Sequence, residues 1–229
     1  MTRTKGRLLA LTMVAGMLGV ACSSDGSSTT GSGPEPSASP MEPEVVTSDT
    51  GAAALRTTLN TLLQEHVYLA ASATGAALGG RTEEFDAAAA TLDESSVALG
   101  DAVSSVYGDD AGAQFLELWR SHIGMFVDYT TGVATKDMAM QEKAVADLQG
   151  YTEDFGAFLA SANPNLTKDA VAGLVLDHVL GLKDAVDAQA AGKAGEAYTT
   201  LRKAAGHMSM IGDTLAGAIV AQFPEKFAA

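Results

Sequence analysis

One short pattern occurs three times in this chain at a constant spacing. A histidine that follows a polar or acidic residue and precedes a β-branched aliphatic residue stands at His66, His122 and His178, and neighbouring copies are 56 residues apart. Repetition at a fixed period of this length is typical of a supersecondary unit copied in tandem. Three of the four histidines in the chain therefore share one position of a repeating unit.

Other apolar and glycine positions align at the same shift. The aligned sets are Leu62, Leu118 and Leu174; Val67, Ile123 and Val179; Gly100, Gly156 and Gly212; and Val103, Leu159 and Leu215. Each unit then consists of two segments joined by a turn. Because one such unit cannot cover its own apolar face, its neighbours must do so, and we expect three tandem helical hairpins.

Apolar residues recur at helical spacing in these segments. In the first segment Leu55, Leu59, Leu62 and Leu69 form a stripe that also includes His66, and their spacing is that of one face of an α-helix. The alternating runs and hairpin dipeptides typical of strands are absent from the sequence. We predict an all-α fold of six antiparallel helices, packed as a bundle or as a short solenoid.

Glycine, proline and capping residues place the helix ends. The first helix covers about 51–79 and the second about 82–107; the third lies between breaks at 108–110 and 135–137; the fourth ends at 162; the fifth covers about 167–192 and the sixth about 194–222. Thr82 and Thr167 are the expected N-caps of the second and fifth helices. Pro164 stops the fourth helix, because proline cannot continue one.

The first 50 residues predict export and a linker. Residues 1–22 contain three basic residues, an apolar run from Leu8 to Val20 and small residues before Cys22, which is the pattern of a secretory signal peptide. Residues 23–50 are rich in serine, threonine, glycine and proline, and this composition favours a flexible tether. The helical domain is predicted to cover residues 51–229.

Cys22 is the only cysteine of the chain, so an intramolecular disulfide is excluded. A sole cysteine at the end of a signal core resembles the lipobox of bacterial lipoproteins. Val20 and Ala21 match that motif, whereas Gly19 stands where an aliphatic residue is usual. The resemblance implies lipidation of Cys22 and anchoring to the outer face of the cytoplasmic membrane. Ordinary cleavage near the same place is the alternative.

The charge of the chain limits its partners. The 229 residues carry a formal net charge of −14, and no basic stripe offsets it. An acidic surface disfavours nucleic-acid binding and favours solubility and attraction of cations. With 47% hydrophobic residues, the chain can bury one good core.

The aligned histidines are candidate metal ligands. Because the first helix of every unit points the same way, we expect His66, His122 and His178 at one height. The turn near Gly192 returns the sixth helix toward that height, which brings His207 to the level of His178. A layer of imidazoles on facing helices is one way to bind copper, zinc, iron or nickel in a bundle core.

Thioether sulfur is available near these histidines. Met125, Met208 and Met210 are possible additional ligands, and mixed His and Met ligation favours copper, above all the soft cuprous ion. Glu65 and Asp177 directly precede two of the histidines but project from a different angle of the helix. With the anchoring that the lipobox resemblance implies, we expect an extracytoplasmic, lipid-anchored protein that binds a transition-metal ion, above all copper, through His66, His122, His178 and His207, for storage, buffering or delivery.

The alternative is that the histidines are core residues. A buried imidazole is often satisfied by a neighbouring hydroxyl or carbonyl. Hydroxyl groups that could serve are those of Tyr68, Tyr129, Tyr151 and Thr152. The repeated position would then reflect duplication alone, and the protein would be an interaction or structural module of the cell envelope with no metal.

Motifs of enzyme chemistry are absent from the sequence. The residues three before the histidines are Leu63, Trp119, Val175 and Ala204, so the Glu-x-x-His pairs of di-iron bundles are missing. The chain has no His-Glu-x-x-His, no Gly-x-Ser-x-Gly, no phosphate-binding glycine loop and no c-type haem attachment motif. We expect no enzymatic activity.

Several segments between Leu55 and Phe227 carry a resemblance to known proteins. They are Glu65-His66-Val67, His122-Ile123, Phe126-Val127-Asp128-Tyr129, Ala162-Asn163-Pro164-Asn165 and the closing stretch 218–227. These segments resemble secreted helical proteins of Gram-positive bacteria, some of which are labelled copper amine oxidase-like. The resemblance implies an extracytoplasmic helical protein. The Asn-Tyr-Asp/Glu cofactor site and the His-x-His copper pair of the oxidase catalytic domain do not occur in this sequence.

Overall fold

The structure, a computed structural model, describes residues 50–228. The predicted signal peptide, the lipidation site at Cys22 and the tether up to residue 49 lie outside the described residues. The described part contains six α-helices and no strand: α1 (Gly51–Leu78), α2 (Thr82–Tyr107), α3 (Asp109–Thr135), α4 (Met138–Ala162), α5 (Lys168–Ala190) and α6 (Ala194–Gln222). A short 3-10 helix, Pro224–Lys226, follows α6. The all-α prediction is confirmed.

Side-chain caps explain where three of the helices begin. The hydroxyl of Thr50 accepts a hydrogen bond at the start of α1, Asp137 caps α4 and Thr167 caps α5, as small polar N-caps do. The predicted N-cap at Thr82 is wrong. Thr82 is the first helical residue of α2, and Arg81 precedes it without a side-chain cap.

The six helices form a closed ring. Each helix packs against the next one along the chain, and α6 returns to pack against α1. The odd-numbered helices α1, α3 and α5 also contact one another, so they form an inner triangle with the even-numbered helices in the grooves between them. The structure is therefore a closed bundle and not an open solenoid.

The turn inside each hairpin repeats the same backbone conformation. Gly80, Lys136 and Gly192 have φ values of 65°, 60° and 68°, and they are 56 residues apart in sequence. Glycine adopts this left-handed conformation without strain, whereas a residue with a Cβ pays for it. Lys136 is the only non-glycine residue with positive φ among the described residues.

The three aligned glycines mark a repeated contact between units. Gly100 on α2 faces Leu116 on α3, and Gly156 on α4 faces Ala172 on α5. Gly212 on α6 faces Asn60 on α1, which closes the ring. The facing positions 60, 116 and 172 are themselves repeat-equivalent. The three hairpins are thus arranged about an approximate threefold axis that runs between α1, α3 and α5.

Hydrogen bonds join the units at the end of the bundle opposite the hairpin turns. The buried Asn163 donates through Nδ2 to the Tyr107 hydroxyl (3.0 Å), which in turn donates to Gln222 Oε1 (2.9 Å). These contacts link α2, the α4–α5 connection and α6. No helix within residues 50–228 combines the length and the hydropathy that a bilayer crossing requires.

Candidate metal centre

The three repeated histidines meet on the axis of the bundle. His66 lies on α1, His122 on α3 and His178 on α5, the three inner helices, and each side chain is almost completely buried. One ring nitrogen from each residue lies within 4.8 Å of the others. The Nε2 atoms of His66 and His122 are 3.3 Å apart. The threefold arrangement brings the three imidazoles together because they occupy one repeat position on helices of the same direction.

His207 lies beside this group and is not part of it. Its Nε2 is 2.9 Å from the Leu174 carbonyl oxygen on α5, one turn before His178. It lies close enough to His178 for its charge to lower the pKa of that residue. The antiparallel geometry of α5 and α6 therefore brings His207 near the three repeated histidines, but its ring is hydrogen-bonded to the carbonyl of Leu174.

The three methionines have different surroundings. Met208 is buried and lines a cavity together with His122 and His178. Met125 is half-buried and packs against the main core. Met210 is 53% exposed at the surface, so it cannot reach a buried centre. Of the three, Met208 is the one whose position fits a ligand.

Aromatic rings surround the imidazoles, and sequence reasoning missed this. The Trp119 ring lies 4.8 Å from that of His66 and 4.7 Å from that of His122, measured between centroids. Tyr151 stacks on His122 at 4.8 Å. Two features of the sequence could have indicated these contacts: Trp119 stands one helical turn before His122, and Tyr151 is the repeat counterpart of His207.

Buried polar atoms without a hydrogen-bond partner are concentrated around His66, His122 and His178, the three residues that form the histidine layer. Those in residues 50–228 are His66 Nδ1, Trp119 Nε1, His122 Nδ1, Tyr151 Oη, both ring nitrogens of His178 and, away from the layer, Asn60 Oδ1. The great majority of buried polar groups in proteins are hydrogen-bonded, and each exception requires an explanation. Six of these seven atoms belong to the histidines or to the aromatic rings that contact them.

The hydroxyl groups considered as partners for core histidines do not bond them. Tyr129 donates to a carboxylate of α5 (2.7 Å), and Thr152 donates to a carbonyl of its own helix (2.8 Å). Tyr68 is 49% exposed. Tyr151 only stacks on His122. None of these four hydroxyl groups therefore bonds a ring nitrogen of His66, His122 or His178.

The buried environment keeps the three imidazoles neutral. Burial lowers the pKa of His66 well below its usual value, with smaller effects from the charges of His122 and His178. Burial, followed by the charge of His178, lowers the pKa of His122 to about 3. Burial, followed by His207, lowers the pKa of His178 to about 4. Neutral imidazole is the form that binds metal ions, so protons do not compete at pH 7.

No carboxylate belongs to the cluster among the described residues. Glu65 and Asp177, which precede two of the histidines, are both exposed. Their positions agree with the prediction that they project from a different side of the helix. The donor set consists of neutral nitrogen, with the thioether of Met208 nearby.

A pocket of about 340 Å³ reaches the layer from the surface between α1, α2 and α3. His66 and His122 line its inner end, and exposed residues such as Val127 and Thr131 line its outer end. A second, smaller cavity of about 60 Å³ lies on the other side of the layer and is lined by His122, His178 and Met208. The centre therefore has an open side and a closed side.

Small side chains of the first unit account for the open side. Ala70 and Ala73 on α1 line the pocket. The repeat-equivalent residues on α3 are Phe126 and Tyr129, which are large and buried. Comparison of the repeats at a shift of 56 residues could have revealed this difference.

The arrangement offers three neutral imidazoles at one point of a dry core, with access from one side. Such a set can bind a transition-metal ion of the kind that prefers nitrogen and sulfur ligands. No protein-family model, curated protein or solved structure matches the chain.

Proposed function

We propose that the protein binds a copper ion through His66, His122 and His178 and serves in copper storage, buffering or delivery outside the cytoplasm. The observation that carries the proposal is the convergence of three buried imidazoles: four of their six ring nitrogens have no hydrogen-bond partner, and the other two face each other. A buried imidazole nitrogen without a hydrogen-bond partner destabilises the folded protein, because an unsatisfied buried polar group loses about 1–3 kcal/mol of hydration. A bound ion would offset that cost.

The spacing of the nitrogens supports binding of a single ion. Two imidazole nitrogens bound at about 2.0–2.1 Å in tetrahedral or trigonal geometry lie about 3.3–3.6 Å apart. The Nε2 atoms of His66 and His122 are already 3.3 Å apart. His178, whose nitrogen is within 4.8 Å of the others, would have to approach by no more than about 1.5 Å, which a small ring rotation supplies.

The chemistry of the donors favours cuprous copper among the possible metals. Transfer of an ion into an apolar core costs less for a single positive charge than for two, and no carboxylate of the described residues stands in the cluster to compensate a divalent ion. Imidazole and thioether ligands suit the cuprous ion. Met208, which lines the cavity beside His178, supports this choice.

The location belongs to the same proposal and rests on the sequence of residues 1–50. Acylation of Cys22 would fix the chain to the outer face of the cytoplasmic membrane, and residues 23–50 would serve as a tether. The helical domain would then handle copper in the extracytoplasmic space near the membrane. The resemblance to secreted helical proteins of Gram-positive bacteria agrees with this location.

The experiment that tests the proposal uses the single tryptophan of the chain. Trp119 contacts two of the three histidines, so copper bound at the centre should quench its fluorescence. Residues 44–229, purified without a histidine tag, are titrated with cuprous copper under anaerobic conditions and with zinc, and metal content is measured by mass spectrometry. We expect one copper ion per chain and quenching that saturates at that ratio.

His122→Ala should abolish tight copper binding while hardly changing the helix content measured by circular dichroism. His207→Ala is the matched control, because His207 is engaged with the Leu174 carbonyl outside the cluster, and it should retain one ion per chain. Stoichiometric binding by His122→Ala, or no binding tighter than millimolar by the unmodified protein, would overturn the proposal.

A further inference from the structure

We infer that the copper centre keeps one coordination position open toward the pocket between α1, α2 and α3, and that a small uncharged donor molecule binds the ion there. This inference rests on the proposed copper function and extends it. Three histidines occupy three positions of an ion that accepts three or four ligands, and we assign the fourth position to the pocket and not to Met208, which lines the cavity on the opposite side. The pocket determines what reaches the remaining position, and by which route the ion itself enters and leaves.

The pocket adjoins two of the three ligands. Its lining comes mainly from α1, α2 and α3, with one residue from α5, and includes His66, Ala70 and Ala73 on α1, Phe85 on α2, Val127 on α3 and Leu182 on α5. A volume of about 340 Å³ accommodates a small molecule without rearrangement of the backbone. A ligand in its inner end would lie against the imidazoles of His66 and His122.

The lining chemistry selects an uncharged ligand. No charged residue belongs to the lining. Its hydroxyl groups already have acceptors: Thr74 has Gln189 Oε1 at 3.0 Å and the Ala71 carbonyl oxygen at 3.2 Å, and Thr130 and Thr131 donate to carbonyls of α3. An anion that entered would lose its hydration without gaining a hydrogen-bond donor from the lining, a loss that is large for a charged group. A small neutral donor such as carbon monoxide avoids this cost.

The opposite side of the layer offers less room. The cavity there has a volume of about 60 Å³ and contains Met208, with Trp119 and Tyr151 around it. A thioether or an aromatic ring already occupies the space that an external ligand would need. The asymmetry between the two sides assigns the exchangeable position to the side of the larger pocket.

Two side chains control the width of the pocket. Val127 on α3 is 43% exposed and belongs to the lining, so a larger residue there should narrow the mouth at little cost in stability. Phe85 is the only aromatic residue that α2 contributes to the lining, and it is half-buried. Replacing Phe85 by alanine should widen the pocket.

The test measures ligand binding and exchange on the copper-loaded protein, residues 44–229, under anaerobic conditions. Carbon monoxide is added, and its stretching band is followed by infrared spectroscopy; bicinchoninate, a cuprous chelator, is used separately to measure how fast copper is removed. We expect one carbon monoxide per copper in the unmodified protein. Carbon monoxide donates its carbon lone pair to the ion, so no electron transfer accompanies binding.

Substitutions in the pocket lining should change the rates of carbon monoxide binding and copper removal and leave the copper content unchanged. Val127→Phe should slow both carbon monoxide binding and copper removal by about tenfold or more, as expected where access limits association, and Phe85→Ala should accelerate both. Val97→Phe, at a similarly exposed valine outside the pocket, is the control for the first. Phe158→Ala, at a half-buried phenylalanine of the opposite cavity, is the control for the second.

The outcomes separate this inference from the copper proposal. If copper binds stoichiometrically but carbon monoxide does not, the open position is refuted and the copper centre stands. If carbon monoxide binds and Val127→Phe changes neither rate more than Val97→Phe does, the route through this pocket is refuted. If Phe158→Ala accelerates exchange and Phe85→Ala does not, the open side is the opposite cavity. If the protein binds no copper, the proposed function itself has failed.

Discussion

At the scale of the residue, His178 has the least favourable surroundings of the three histidines. Both of its ring nitrogens are buried without a partner, whereas His66 and His122 share one contact at 3.3 Å. Desolvation of an unsatisfied polar group costs about 1–3 kcal/mol. The metal-free protein therefore carries a destabilising residue in its core, a cost that is reasonable only if a ligand recovers it.

Replacing His178 by leucine should stabilise the metal-free protein and weaken its dependence on pH. Because the pKa of His178 is about 4 when folded and 6.5 in its ordinary state, the unfolded chain binds more protons between those values. The free energy of unfolding should then fall as the pH drops from 6.5 toward 4, by about 1.4 kcal/mol per pH unit for each such histidine. His178→Leu removes one such contribution.

Urea denaturation in the presence of a chelator at a series of pH values measures this effect. At pH 7.5, His207→Leu is the control, since it removes an existing contact with the Leu174 carbonyl and should not stabilise. Equal slopes of stability against pH for the unmodified protein and His178→Leu would contradict the assignment of a buried neutral imidazole.

Lys136 is a second residue in unfavourable surroundings, because glycine would adopt its backbone conformation at a lower cost in free energy. It occupies the left-handed position that glycine holds in the other two hairpin turns. Lys136→Gly should raise the free energy of unfolding by about 1 kcal/mol, because it relieves the steric cost of a Cβ at positive φ. Thermal unfolding checks this, with Gly192→Ala as the converse variant that should destabilise. A lower melting temperature for Lys136→Gly would contradict it.

At the scale of the element, two glycines of α4 differ in how closely they approach a neighbouring helix. A methyl group at Gly156 would lie 2.6 Å from the Lys168 carbonyl oxygen and 3.2 Å from Ala172. On the same helix, Gly150 has nothing within 4 Å of such a group. The first glycine is therefore required by packing between α4 and α5, and the second is not.

Substituting alanine at these two positions should have opposite effects. Gly156→Ala should lower the free energy of unfolding by about 1–3 kcal/mol through overlap with α5. Gly150→Ala should raise it by up to about 1 kcal/mol, because alanine is the better helix former. Chemical denaturation of both variants measures the difference. Stabilisation by Gly156→Ala would show that α4 and α5 are not in close contact there.

The helices could be predicted from the sequence because their determinants are local. The three- and four-residue period of Leu55, Leu59 and Leu62 defined α1, and the hydroxyl of Thr167 defined the start of α5. Thr82 failed as an N-cap because several polar residues in a row offer equivalent starting points, and the path of the turn after Gly80 decides between them. The fifth helix ends at Ala190, two residues earlier than predicted.

At the scale of the whole molecule, the two ends of the described chain meet. Gly51 at the start of α1 lies against Phe227 after α6, and an ion pair between Arg56 and Asp213 joins the same two helices (3.4 Å). The ring of hairpins is therefore closed in space although the chain is open. Which hairpin comes first should matter little to the fold.

A circular permutant should therefore fold. It joins residue 228 to residue 50 by a short glycine–serine linker and opens the chain between the first and second hairpins, at the exposed Gly108. We expect an unchanged helix content, a single cooperative unfolding transition and one copper ion per chain, because the contacts between hairpins are preserved. Circular dichroism and mass spectrometry provide the measurements. Loss of cooperative unfolding would contradict closure of the ring.

The site was harder to predict than the fold because it depends on contacts distant in sequence. The repeat was sufficient to predict His66, His122 and His178 at one height, and closure of the ring then brings them together on its axis. It was not sufficient for His207, whose ring is held by a carbonyl that only the packing of α6 on α5 places nearby. The pocket exists because Ala70 is small where its repeat equivalent Phe126 is large, and such a space becomes apparent only when the side chains are packed.

The three hairpins share one backbone arrangement but carry different side chains, and the histidine layer is therefore accessible from one side only. An assembly of three identical hairpins would have to repeat any opening around its axis, because identical chains have identical surfaces. Three hairpins fused in one chain are free of that requirement, and here alanines at positions 70 and 73 leave space that Phe126 and Tyr129 occupy one repeat later. Under the proposed copper function, the ion would enter and leave on one side only, and a recipient protein would need to recognise only the face formed by α1, α2 and α3.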